Sequence, residues 1–282
     1  MQSIDSILVP LDLSKVSANA LRYALRLADQ LDAGIDLLHV VPDDNGSLLS
    51  VSLTAQHVEN SKEKMMDFFT QAVTATSGQL QHIPAVQSYA VVGNVRATIL
   101  RHAKNRGTGL IVMGTDGADD FARSLFGTNT SHLVNKAVCP VLIVPKGFAF
   151  RPLHSICYAT DLTHINTFKA GFLVKTLRVF EPRLDFVHVK QGKDTKAEFD
   201  IALLRQLFDR PGSAAGTGFH VLKNSDVAEE IFAYAEANNS DLVVMHRPHH
   251  GWLSRLFFKS TTHDAALETT RPLLILPDET DE

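Results

Sequence analysis

The chain repeats itself, and that repeat constrains its fold more than any other feature. SILVPLDLSKVSANALRYALRLADQLDAGIDLLHVV, from Ser6, aligns without a gap with SICYATDLTHINTFKAGFLVKTLRVFEPRLDFVHVK, from Ser155. Asp12 meets Asp161, Asp36 meets Asp185, and His39-Val40 meets His188-Val189. Further on, NVRATILRHAKNRGTGLIVMG from Asn94 matches DVAEEIFAYAEANNSDLVVMH from Asp226, and CPVLIVP from Cys139 matches RPLLILP from Arg271. A repeat unit this long means two copies of one domain, not a solenoid of short units. The boundary is expected near Gly147 to Arg151, giving residues 1–148 and 149–282 of a 282-residue chain. That length allows either copy to bury its own core.

Each copy alternates short apolar runs with helical patterns. In the first copy, Ser6–Val9, Ile35–Val41, Ala85–Val91, Leu110–Gly114 and Val141–Val144 are continuous runs rich in Val, Ile and Leu. Strands buried on both faces have that composition. Leu21, Ala24, Leu25, Ala28 and Leu31 form one apolar stripe on an intervening helix, which Ser14 or Ser17 can cap. Ser52–Thr76 and Val95–Asn105 are further helices, and Ser131–Ala137 belongs to the last. The alternation predicts an α/β fold, with a five-stranded parallel sheet in each copy and helices on both faces. In the second copy, the pattern predicts a helix over Lys196–Phe208 and a turn-rich loop over Pro211–Gly218.

Several function classes lose support at this level. The formal net charge is −4, too weak a field for a nucleic-acid partner. No apolar stretch approaches the roughly 20 residues a membrane helix needs. Met1-Gln2-Ser3-Ile4-Asp5 leads straight into a strand and does not resemble a signal peptide, so a cytoplasmic location is expected. Cys139 and Cys157 make no C-x-x-C pair and are expected to be small buried hydrophobes. No nucleophile elbow or Ser-His-Asp order is present.

The chemistry-bearing stretch is GTDGADDFARSLFGTNT, from Gly114 to Thr130. It leaves a strand through Gly114 and Gly117 and reaches a helix start at Gly127-Thr128. In open parallel sheets, ligands bind beyond the carboxyl ends of the strands where strand order reverses. A glycine there lets a ligand approach the backbone, or lets the chain take positive φ. A helix start offers free N–H groups and partial positive charge, which suits phosphate. Thr128, Asn129 and Thr130 add side-chain donors. Glycines in loops equally serve turns alone.

This G-x2-G-x9-G pattern followed by Thr resembles the nucleotide signature of the universal stress protein family. The ILVPLD opening, the LLHVV strand and the closing PVLIVP resemble that family too, and the resemblance covers nearly the whole chain twice. It implies two tandem Rossmann-like domains of the adenine nucleotide alpha hydrolase-like kind. It implies binding of ATP, or a related adenine nucleotide, with Mg as an accompanying ion. Carried over residue by residue, the implied nucleotide set is Pro10, Asp12, Val40, Met113, Gly114, Asp116, Gly117, Gly127, Thr128, Asn129 and Thr130. Pro10 and Asp12 would lie near the adenosine or a metal, Val40 would line the adenine pocket, and Gly127 to Thr130 would hold phosphates. The resemblance also implies dimerisation through the last strand, an edge the two copies can satisfy with each other. A homodimer of the full chain is the further expectation, and the protein partners are unknown.

Two features complicate that reading. Asp116, Asp119 and Asp120 place three negative charges in the loop, with Arg123 its only cation. They point either to water or to a divalent cation that separates them from the phosphates. The second copy also departs from the motif, with His246, His249 and Lys259 standing where the first has Gly114, Gly117 and Gly127. The second domain is therefore expected to serve as a structural partner that does not bind ATP in the family manner. Its His246, His249, His250 and His263 are ordinary loop residues, zinc ligands, or, with Arg247, Arg255 and Lys259, part of an anion pocket. Trp252, Leu253, Leu256, Phe257 and Phe258 read as packing under that loop or as an apolar ligand surface. The alternatives to an ATP-binding stress protein are a slow ATPase on the same scaffold and a scaffold protein without nucleotide.

Overall fold

The structure is a computed structural model. It describes residues 4–42, 51–115, 128–160, 176–190, 216–224, 226–247 and 270–277, with backbone alone at 51–57, 128–129, 131 and 178. The chain divides into two compact units, Gln2–Phe150 and Arg151–Leu276.

The amino-terminal unit runs β1 (Ser6–Pro10), α1 (Lys15–Leu31), β2 (Gly34–Val41), α2 (Val51–Thr76), β3 (Val86–Val92), α3 (Val95–Arg106), β4 (Leu110–Gly114), α4 (Thr128–Lys136) and β5 (Val141–Val144). Its strand order is β3-β2-β1-β4-β5, and every adjacent pair is parallel. The carboxy-terminal unit carries β6 (Ser155–Ala159), β7 (Arg183–Lys190), β8 (Thr217–Lys223), α5 (Val227–Ala237), β9 (Leu242–His246) and β10 (Leu273–Leu276). Its order, β8-β7-β6-β9-β10, repeats the first, again with parallel pairs. Thr217 and Gly218, expected in a loop, open β8 instead, because Leu184 and Asp185 of β7 offer them a parallel ladder. The helix expected over Lys196–Phe208 lies outside the described residues.

The central strands are apolar because both their faces are covered. Ile7, Leu8, Val9, Ile111 and Val112 are fully buried, as are Val187, Val243 and Val244 in the second unit. Each such side chain contributes on the order of 1.5–3 kcal/mol relative to exposure. Leu21, Ala24, Leu25 and Ala28 of α1 are buried as the stripe requires. In the amino-terminal unit α1 lies beside α2 and α3 beside α4. Right-handed crossovers produce that grouping by placing the first two helices on one face and the last two on the other.

Helix ends follow local chemistry. Ser14 caps α1 by accepting from Ser17 N, Asn94 caps α3 by accepting from Ala97 N, and Asp226 caps α5 by accepting from Ala228 N and Glu229 N. Gly107 ends α3 at φ 61°, and its repeat counterpart Asn239 follows α5 at φ 51°. The next amide reaches back in both cases, Thr108 N to Ala103 O at 3.0 Å and Ser240 N to Ala235 O at 2.8 Å. Buried Asn19 ties α1 to the end of its unit by donating to the Pro145 and Phe148 carbonyls at 3.1 and 3.2 Å.

Candidate functional site

Strand order reverses between β1 and β4, the place where an open parallel sheet presents a crevice at its carboxyl edge. Because β4 and β5 are parallel, α4 must run back from that edge, which leaves its N-terminal turn there. The same holds for α1 between β1 and β2. Two helix N-termini with free N–H groups therefore meet the carboxyl edge at the reversal.

The β1–α1 loop carries Asp12. Its Oδ1 accepts from Ser14 N at 2.9 Å, and Ser14 Oγ in turn accepts from Ser17 N at 3.2 Å. The Ser17 hydroxyl donates to the Ser14 carbonyl at 3.1 Å, so of the two candidate caps Ser14 does the capping. Burial pushes the Asp12 carboxyl up. Hydrogen bonding, from the Ser14 hydroxyl and amide above all, outweighs this and holds it below the ordinary carboxylate range. Asp12 is thus an exposed, firmly ionised carboxylate at the mouth of the reversal. Leu13 beside it sits at φ 63°, a left-handed conformation that a leucine rarely adopts.

The other residues of the implied set fall around this edge. Pro10 ends β1 half-buried, opposite Leu38 of β2 in register, and buried Val40 lies two residues further along β2. Met113 and Gly114 end β4, both half-buried. Thr128 and Asn129 open α4 as expected, and Thr130 in its first turn is buried. Asp116, Gly117 and Gly127 lie outside the described residues, as do Asp119, Asp120 and Arg123.

Gly114 departs from expectation in one respect. It does not take positive φ. A Cβ built on it would lie 2.3 Å from Val16 Cγ1 and 3.2 Å from the Val16 carbonyl oxygen. Its bareness therefore lets the first turn of α1 close onto the end of β4. The steric demand comes from the neighbouring helix, a partner that motif spacing does not display.

The second unit fills the equivalent position. His246 ends β9 where Gly114 ends β4, and its Nε2 engages the Tyr158 hydroxyl on β6. Tyr158 also packs against Phe186, with ring centroids 5.2 Å apart, and Phe186 stacks on Phe219 at 5.4 Å. At this strand end an imidazole stands in place of bare backbone. His249, His250 and His263 lie outside the described residues. Among the described residues no set of three His, Cys, Asp or Glu side chains is placed to hold a metal ion. Both cysteines are buried, and burial, then the Asp185 carboxylate, pushes the Cys157 thiol up to about 12. That thiol stays protonated and is a poor nucleophile.

The paired strand histidines act in the same way in both units. His39 Nδ1 lies 2.7 Å from the Leu11 carbonyl oxygen, and His188 Nδ1 lies 2.9 Å from that of Thr160. Their identical places in the repeat were the signal of a shared role, and sequence alone could not name the acceptor.

The sequence profile of the universal stress protein family matches residues 3–145 and 172–277. The chain belongs to the universal stress protein family. Universal stress protein YxiE of Bacillus subtilis is 29% identical over 160 residues, spanning 50% of this chain and 98% of that protein. Universal stress protein MJ0577 of Methanocaldococcus jannaschii is 26% identical over 152 residues, spanning 50% of this chain and 94% of its own length. Such relatives are the size of one unit. A universal stress protein from Archaeoglobus fulgidus overlays the chain with a TM-score of 0.74 at 18% identity, covering 98% of this chain and 99% of its own. The tandem arrangement of this family member therefore has a full-length counterpart in fold. A further universal stress protein, crystallised in complex with cAMP, overlays 52% of the chain with a TM-score of 0.41 at 18% identity.

Proposed function

We propose that this family member is a cytoplasmic stress-response protein that binds an adenine nucleotide, ATP, at the carboxyl edge of its amino-terminal sheet. The carboxy-terminal unit serves as its structural partner. The observation that carries the reading is Asp12, an ionised, exposed carboxylate at the strand-order reversal, held by Ser14 and Ser17 beside two helix N-termini. That donor set fits an adenine nucleotide. A fixed carboxylate accepts hydrogen bonds from ribose hydroxyls, and backbone N–H groups at a helix start donate to phosphate oxygens. Val40 and Pro10 supply apolar surface for a base, and Thr128 to Thr130 the phosphate end. Any Mg ion would sit between the phosphates and the carboxylates of this edge, Asp12 among them, and lower their repulsion.

The same edge of the second unit supports the contrast. His246 and Tyr158 bond each other across it, and an imidazole takes the place of the bare strand end. Binding in the first unit then changes how the chain associates with its protein partners, a second copy included.

The test is calorimetric titration of the full chain with ATP, with and without magnesium, and with cAMP as the second ligand. It is paired with mass spectrometry of whatever small molecule denaturation releases. Saturable ATP binding that Asp12→Asn weakens supports the reading. A flat titration with a co-purified lipid or metal replaces it with the scaffold reading.

A further inference from the structure

We propose that His39 is a positioning residue for the nucleotide site: its imidazole fixes the plane of the Leu11–Asp12 peptide and, through it, the direction of the Asp12 carboxylate. The proposal deepens the reading above and rests on it for the identity of the ligand alone. His39 Nδ1 lies 2.7 Å from the Leu11 carbonyl oxygen. A carbonyl can only accept, so Nδ1 carries the proton and the tautomer is fixed by the fold.

Leu11 is thereby held to β2 at both ends. Its N–H donates to the Leu38 carbonyl at 2.8 Å, and its own carbonyl takes the imidazole. A trans peptide is planar, so a Leu11 carbonyl turned toward β2 turns the Asp12 N–H the opposite way. That plane sets where the Asp12 residue starts, and its carboxylate receives the Ser14 amide at 2.9 Å. Next in the chain stands Leu13 at φ 63°. A left-handed leucine persists only where its surroundings over-determine it. Here they do so from both sides, the imidazole before it and the Ser14 cap after it. His39 also precedes Val40 in the same strand, so one residue links the wall proposed for the base to the loop that carries the carboxylate.

The second unit supplies an internal control. His188 Nδ1 lies 2.9 Å from the Thr160 carbonyl, the same clamp in the unit whose corresponding strand ends in His246 and not in glycine.

Three variants of the full chain test the proposal. His39→Leu removes the donor, His39→Asn keeps an N–H donor near the place of Nδ1, and His188→Leu removes the equivalent clamp from the other unit. The first readout needs no ligand: the Asp12 and Ser14 amides, one in the peptide that His39 holds and the other donating to the Asp12 carboxylate, are followed by nitrogen–proton NMR. Their shifts are expected to match the wild type in His39→Asn and to move in His39→Leu. The second is ATP affinity. His39→Leu is expected to weaken it roughly tenfold, as the loss of one hydrogen bond to the site would, and the other two to stay within about twofold. In an Asp12→Asn background, His39→Leu should cost nothing further, because the two act through one another.

Asp12 and Ser14 amide shifts that His39→Leu leaves unmoved overturn the proposal. So does an equal loss of affinity in the Asp12→Asn background or in His188→Leu. A flat wild-type ATP titration beside moved Asp12 and Ser14 amide shifts in His39→Leu removes the nucleotide reading and leaves the positioning role standing.

Discussion

Gly114 is kept bare by Val16. With Val16 Cγ1 2.3 Å and its carbonyl oxygen 3.2 Å from where a Cβ would sit, Gly114→Ala must push α1 off the end of β4. The expected loss is about 1–3 kcal/mol of unfolding free energy, measured by urea denaturation. Val16→Ala in the same chain should return part of it, since the nearer clash is with a valine methyl. A loss that Val16→Ala leaves unchanged would place the strain elsewhere. Asp12 makes a prediction of the opposite kind, visible only on titration. Its folded pKa lies below its unfolded value, so the fold prefers the ionised form. That preference is fully present above the ordinary aspartate value of about 4 and is lost as pH falls through the lowered folded value. The difference in Tm between wild type and Asp12→Asn should therefore be constant near neutrality and shrink in acid. A difference that grows in acid would contradict the hydrogen bonds assigned to the carboxylate. His102 shifts downward too, by burial first, which outweighs the opposing pull of Asp36, with the Arg106 charge adding a smaller push in the same direction as burial. Its 3.6 Å approach to Asp36 is thus a contact of a neutral imidazole near pH 7, and Arg106, at 2.9 Å, is the cation that pairs with that buried carboxylate.

At the scale of elements, capping chemistry is local, and the cap of α1 was legible as Ser14 or Ser17 just ahead of its apolar stripe. Asn94 and Asp226, aligned in the repeat, each open a helix with their side chains. Replacing either by Ala should cost about 1 kcal/mol, read as a lowered denaturation midpoint with an unchanged slope. A changed slope would mean that the helix docks on its sheet less completely. The strands were legible for a related reason. A strand covered on both faces must be apolar at every position, and Leu110–Gly114 and Val141–Val144 fall where their runs predict. Thr217-Gly218 was not legible. Glycine and threonine carry turn chemistry in isolation, and only the partner strand β7 draws them into a ladder. The buried carboxylates Asp36 and Asp185 were visible as a repeated pair, but their partners differ, Arg106 from α3 in one unit and Arg183 and His220 from the strands in the other. No spacing rule announces such a difference.

For the molecule as a whole, the two units share strand order and differ at one edge, Gly114 in one and His246 bonded to Tyr158 in the other. The proposed function then predicts one nucleotide per chain. Calorimetry or native mass spectrometry should give a stoichiometry of one, and a value of two would show that the second edge opens to ligand.

The sequence by itself determined the duplication, the parallel α/β class, nearly every described strand and the place of the glycine-bearing edge. Each of these follows from periodicity and from the alignment of the chain with itself, and both are written in neighbouring residues. Only the tertiary structure decided why Gly114 has no side chain, what His39 and His188 hold, and how Tyr158 and His246 meet. Each of those contacts joins residues that the fold brings together across strands and loops. Van der Waals contact and hydrogen bonding act over a few ångströms of space, and distance along the chain carries no record of them.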